Sequence, residues 1–225
     1  MNQLNIHQYR VIAYSMGATT AMHGMRYGNF ADKIHSYLHI DQTPKIRSNS
    51  DWPYGLFGTR HPEFIDILES ISDVLTRNAN ALFIDQLNSA DRASLLQSWL
   101  AFIDMQASSQ VAPLLIKQAF KHPSLQSHIL PIQRLDYLAW YISNYLHHQE
   151  DYRTAIAQLD KPATFFIGEQ SKLYPANGQK IIANSLNDAT AVIFKKSGHT
   201  PLLSEPFKFS KEIGKFLQNC EETKA

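Results

Sequence analysis

The stretch Tyr9-Arg10-Val11-Ile12-Ala13-Tyr14-Ser15-Met16-Gly17-Ala18 decides how this chain is read. Its first six residues are short, apolar and partly β-branched, and from Ser15 onward the pattern becomes helical with no intervening proline. That is a strand, a sharp turn and a helix, with a hydroxyl on the turn. Small residues flank the hydroxyl two positions away on either side, Ala13 and Gly17, and small residues let such a turn close tightly.

Outward from this point the chain alternates. Residues 34–40 read as a second strand, closed by Asp41-Gln42-Thr43-Pro44, where the proline opposes helix at Thr43. After Pro162, residues 163–167 read as a buried strand, 175–185 as a helix, 189–194 as another strand and 206–217 as a last helix with Phe209, Ile213, Phe216 and Leu217 on one face. Strands alternating with helices predict a mostly parallel sheet of about four strands in an α/β fold. Between the second and third strands the apolar spacing is helical. Phe64, Ile67, Leu68, Ile71, Val74 and Leu75 share one helix face, as do Leu135, Leu138, Ala139, Ile142, Tyr145 and Leu146. With Leu95, Leu96, Trp99, Leu100 and Ile103 and the apolar run 111–120, the block holds about four helices. Core packing is the plain reading of those stripes.

Composition bounds the function. The chain has 225 residues, 44% hydrophobic and 18% charged, which suffices for a substantial core. Twenty-one Lys and Arg against 20 Asp and Glu leave a net charge of +1, so nothing argues for nucleic acid or an anionic membrane as partner. No apolar run reaches the roughly 18 residues that span a bilayer, and no export signal opens the chain. The only cysteine, Cys220, allows no internal disulfide, and a cytoplasmic location is expected. Without a Gly-rich phosphate loop, no nucleotide cofactor is expected. His147 and His148 with Glu150 and Asp151 have metal-capable chemistry, but adjacent residues diverge on a helix, so a solvated helix end is expected and no metal site.

A serine hydroxyl needs a base, an oriented imidazole and donors for the oxyanion before it becomes a useful nucleophile. Ser15 is the candidate nucleophile; its bland alternative is a helix cap. Among ten histidines, His199 in Ser197-Gly198-His199-Thr200-Pro201 follows the last strand, on the edge where open α/β sheets carry their sites. Serine before histidine in chain order also fits such a site.

Taken together, Ala13-Tyr14-Ser15-Met16-Gly17, Asp151-Tyr152-Arg153 leading to Lys161-Pro162-Ala163-Thr164-Phe165-Phe166-Ile167-Gly168, and Ser197-Gly198-His199 with Glu205-Pro206 resemble the α/β-hydrolase superfamily, in particular its esterase or haloperoxidase-like members. The resemblance spans nearly the whole chain. It implies that residues 1–43 and 159–225 form the hydrolase core and 44–158 a helical lid that shapes the pocket. It implies no cofactor, and a small ester or related acyl compound as substrate. Ser15 would attack, His199 would act as base, and the Met16 backbone N–H would serve the oxyanion.

Two departures stand out. The acid of the family commonly lies three residues after the glycine ending a late strand, and here Ser171 holds that place. Asp41, at a strand end, and Glu169, near the usual site, are the remaining candidates to orient His199; Asp41 is favoured because a strand end holds a carboxylate more rigidly than a loop. A turn-forming Asp and a solvated Glu are the bland readings. Secondly, the first strand resembles the family's fifth, with no counterpart of the first four. The second oxyanion donor is then missing, which typically costs about a hundredfold to a thousandfold in rate. Feeble or no activity of this chain alone is expected, as a truncated, non-catalytic fragment or one half of a two-piece assembly. An open edge along Arg10 to Tyr14 is expected to pair with a second copy or a separate N-terminal piece. Finally, Trp52 and Tyr54, with Leu56 and Phe57, either line the acyl pocket or pack the lid onto the sheet.

Overall fold

The computed structural model describes residues 6–106, 118 and 134–218. Cys220 and all of the run 111–120 except residue 118 lie outside them. The elements are β1 (Tyr9–Tyr14), α1 (Met16–Tyr27), β2 (Ile34–Ile40), α2 (His61–Arg77), α3 (Ser89–Gln106), α4 (Leu135–Leu146), α5 (Arg153–Ala157), β3 (Ala163–Gly168), α6 (Ala176–Ser185), β4 (Ala189–Phe194), α7 (Pro201–Ser204) and α8 (Pro206–Gln218). Every strand expected from the apolar pattern is present, and the third runs one residue further, to Gly168.

The chain divides into two compact units, one of residues 1–59 and 150–225 and one of residues 60–149. Residues 44–59 and 150–158 thus fold with the sheet. The first unit holds four strands in the order β1-β2-β3-β4, every neighbouring pair parallel. Because side chains alternate across a strand, each strand feeds two cores. Ala13, Tyr37, Ala163, Phe165 and Ile167 join Ala18, Ala21 and Met22 of α1, Ile156 of α5 and Ile182 of α6 on one face. On the other, Leu38, Ile40, Phe166 and Phe194 pack with Phe216 of α8, and Phe209 and Ile213 flank them. Leu217, expected on that same helix face, is exposed instead. At the β1 edge, Ile12 is 49% exposed.

In the second unit α2 buries Phe64, Ile67, Leu68, Ile71, Val74 and Leu75, the full predicted face. Phe64 meets Phe102 of α3 and Tyr145 of α4 at ring separations of 6.1 and 6.0 Å. No helix among the described residues is long and apolar enough to cross a membrane.

Two glycines bear on the sheet edge in opposite ways. A Cβ on Gly168 would collide with the backbone carbonyl of Gly198, so only glycine lets the end of β3 approach the loop after β4. A Cβ on Gly17 would meet nothing within 4 Å among the described residues, so an alanine has room there. Gly168→Ala should therefore cost about 2 kcal/mol of stability through a backbone clash. Gly17→Ala should be neutral or stabilising by up to about 1 kcal/mol, by restricting the unfolded chain. Urea denaturation of the two variants checks both, and equal losses would contradict this account.

Candidate active site

Parallel register brings the chemistry to one edge. Tyr14 pairs with Ile40, so the next residues, Ser15 and Asp41, leave neighbouring strands side by side at their C-terminal ends. Both stay tied to the sheet: Ser15 N–H donates to the Ile40 carbonyl and Asp41 N–H to that of Phe166, each at 3.0 Å. Both then turn sharply. Ser15 has φ 51° and Asp41 φ 43°, two of the three non-glycine residues with positive φ among those described. Left-handed backbone costs a side-chain-bearing residue on the order of 1 kcal/mol or more and persists only where surrounding contacts hold it.

For Ser15 those contacts are the sheet bond before it and α1 after it, where Ala18 N–H donates back to the Ser15 carbonyl at 2.8 Å. Met16 opens the helix. Its N–H has no carbonyl one turn earlier to accept it, and it stands at the positive end of the helix dipole. This suits it to receive an oxyanion.

Asp41 is fully buried. Its Oδ1 accepts from Gly168 N–H at 3.2 Å and Gln179 Nε2 at 3.0 Å. Its Oδ2 accepts from Ser171 Oγ at 2.7 Å and lies 2.8 Å from His199 Nδ1. An ionised carboxylate only accepts, so Nδ1 carries the hydrogen and Nε2 is left with the lone pair a general base needs. Glu169 is exposed, and its carboxylate lies 3.7 Å from Lys180. Of the two candidate acids, Asp41 is the one bonded to His199.

His199 rides on the loop between β4 and α7, which is closed by its own network. Glu205 Oε1 accepts from Lys196 N–H at 2.9 Å and from Ser197 Oγ at 2.8 Å, and Ser204 Oγ lies 2.7 Å from Ser197 Oγ. The Ser15 hydroxyl makes no hydrogen bond among the described residues.

Trp52 is buried in the core of the sheet unit and donates from Nε1 to Thr43 Oγ1 at 3.1 Å, so it braces the turn that follows Asp41. Tyr54 packs edge-on against Trp52 and faces Gly178 of α6. No hydrogen bond or ring contact among the described residues ties either one to Ser15 or His199. Glu150 takes Arg26 and Tyr27, while Asp151 takes Arg153.

Sequence reasoning missed the part that three side chains play around Asp41. Gln179 and Ser171 are donors to Asp41 and reach it from 138 and 130 residues away. The third, His39, is buried beside Asp41. Its Nε2 lies 3.1 Å from the Gln42 carbonyl, which can only accept, and in the neutral ring its Nδ1 then accepts the Tyr37 hydroxyl at 3.0 Å. That arrangement fits the neutral ring. Burial pushes His39 down to about 4, against a partial upward pull from the Gln42 carbonyl and from Asp41. Its strand also carries His35 and Ser36, so a polar residue there did not single it out.

Similarity to known proteins agrees with this fold. No family model matches the chain. The chain resembles a curated protein named pimeloyl-[acyl-carrier protein] methyl ester esterase from Xanthomonas oryzae pv. oryzae, at 23% identity over 207 residues, covering 92% of this chain and 69% of that protein. Among solved structures, an esterase from Exiguobacterium antarcticum superposes with a TM-score of 0.61 at 14% identity, covering 96% of this chain and 69% of that one. An α/β-fold hydrolase from Bacillus anthracis str. Sterne does so with a TM-score of 0.57 at 18% identity, again covering 96% and 69%. The chain has the α/β-hydrolase fold, as its motifs implied. The proteins it resembles include esterases.

The buried His39 makes a pH prediction. Its folded-state value is depressed below the ordinary 6.5, so between pH 6.5 and about 4 the unfolded chain binds a proton that the folded chain does not. Stability is therefore retained above pH 6.5 and lost as the pH falls through that window. Chemical denaturation should show the native protein losing about 2 kcal/mol more between pH 7 and pH 5 than His39→Gln does. Parallel pH dependences would remove His39 from the account.

Proposed function

We propose that the chain is a serine hydrolase acting on a small carboxylic ester or related acyl compound through Ser15, His199 and Asp41. The observation that carries this reading is the 2.8 Å contact between His199 Nδ1 and the buried Asp41 carboxylate, at the strand end adjoining Ser15. Asp41 takes the place of the acid that the family more often carries where Ser171 stands.

In this reading His199 Nε2 takes the Ser15 proton as Oγ attacks the acyl carbon. The carbonyl π electrons move onto oxygen, where the Met16 N–H receives the charge. Collapse expels the alcohol, which takes the proton from His199, and leaves an acyl-serine. A water then repeats the sequence in reverse roles, releasing the acid and restoring Ser15. Asp41 fixes the imidazole tautomer and offsets the charge of the imidazolium formed at each step. No cofactor enters the scheme. The name of the curated relative makes methyl esters of medium-length acyl chains the first compounds to assay.

A fluorophosphonate probe tests the nucleophile directly. Native protein should be labelled at Ser15, and Ser15→Ala should not be labelled at all. Asp41→Asn should slow ester turnover on the order of a thousandfold, by favouring the wrong imidazole orientation. Glu169→Gln should leave turnover within about twofold, since an exposed ion pair contributes little. A larger loss in Glu169→Gln than in Asp41→Asn would move the acid to the later loop.

A further inference from the structure

We infer that Tyr14 is a positioning residue, which holds His199 in place relative to the strand end that carries Ser15. The inference rests on the triad reading above and adds to it a residue that contacts His199. Tyr14 is the last residue of β1 and immediately precedes Ser15, so its backbone moves with the nucleophile. Its hydroxyl donates to the backbone carbonyl of His199 at 3.1 Å, across 185 residues of chain. Its ring stacks on the His199 imidazole, centroids 5.1 Å apart and planes inclined at 26°. Tyr174 meets the same imidazole at 5.4 Å and 59°.

These contacts divide the work of holding the histidine. The Asp41 bond fixes one ring nitrogen and leaves the imidazole free to swing about that bond. Two aromatic rings oppose that swing. The Tyr14 hydroxyl fixes the loop beneath it, so that β1 and the loop after β4 share one frame. Burial, and secondarily the nearby Asp41 charge, push the Tyr14 phenol above its ordinary value, so it remains a donor throughout the neutral range. A general base must keep the proton it abstracts within hydrogen-bond reach, and small misplacements are costly. Tyr14, bonded through the chain to Ser15 and through its hydroxyl to the His199 backbone, links the two residues directly.

Two substitutions separate the contacts. Tyr14→Phe keeps the ring and removes the hydroxyl, and Tyr14→Leu removes both. The saturating rate of fluorophosphonate labelling at Ser15 should fall about fivefold in the first and about twentyfold in the second. The half-saturating probe concentration and the final labelled fraction should stay at native values. A variant that merely failed to fold would lower the labelled fraction instead. In parallel, the His199 imidazole resonances of histidine-labelled protein, assigned with His199→Gln, should move in Tyr14→Leu as the ring current is lost and stay close to native in Tyr14→Phe. A native Ser15 that the probe does not label overturns the triad. A labelled native Ser15 whose rate neither substitution changes overturns the role of Tyr14 alone.

Discussion

The hydrogen bond between Asp41 and His199 constrains more of this molecule than any other contact, because of where the carboxylate lies. A fully buried carboxylate is costly unless donors surround it. Here four do, and they come from the end of β3, the loop that follows it, helix α6 and the loop after β4. Each oxygen accepts two bonds. One side chain thereby gathers the end of β3, α6 and two loops of the sheet unit to a single point. The left-handed backbone at Asp41, anchored by its N–H to Phe166, aims the carboxylate there.

The parallel sheet supplies the rest of the geometry. Strands running the same way end on the same edge, so β1 and β2 deliver consecutive functional residues to neighbouring positions without any special loop. The helix opening at Met16 then turns its unpaired N–H groups toward that edge. The close approach of Gly168 to Gly198 completes the arrangement, since any side chain at Gly168 would push away the loop carrying His199. Proteins that share as little as 14% of this sequence superpose on nearly all of the chain. That is understandable when the fold depends on strand patterning and a few close backbone approaches rather than on most side-chain identities.

Much of this was legible in the residues themselves. The strands appear where short β-branched runs predicted them, and α2 buries the face its spacing marked. The placement of Asp41 at a strand end and of His199 after the last strand was visible for the same reason: both sit at boundaries that local pattern defines. Ser171 was first notable as the wrong residue for an acid, and the structure makes it a donor to the acid instead. One expectation failed physically: Leu217 faces solvent because α8 turns its apolar stripe toward Phe166 and Phe194.

The sequence by itself determined the elements, their alternation and the residues standing at their ends, because periodicity, turn chemistry and proline restrictions act over a few neighbouring positions. Only the tertiary structure decided which carboxylate meets the imidazole, that Gln179 and Ser171 support it, that His39 lies neutral beside it, and that Tyr14 joins the first strand to the last loop. Those contacts span from 130 to 185 residues of chain, apart from the local one at His39. They exist because parallel strands share one edge, and no local pattern in the chain encodes how side chains converge there.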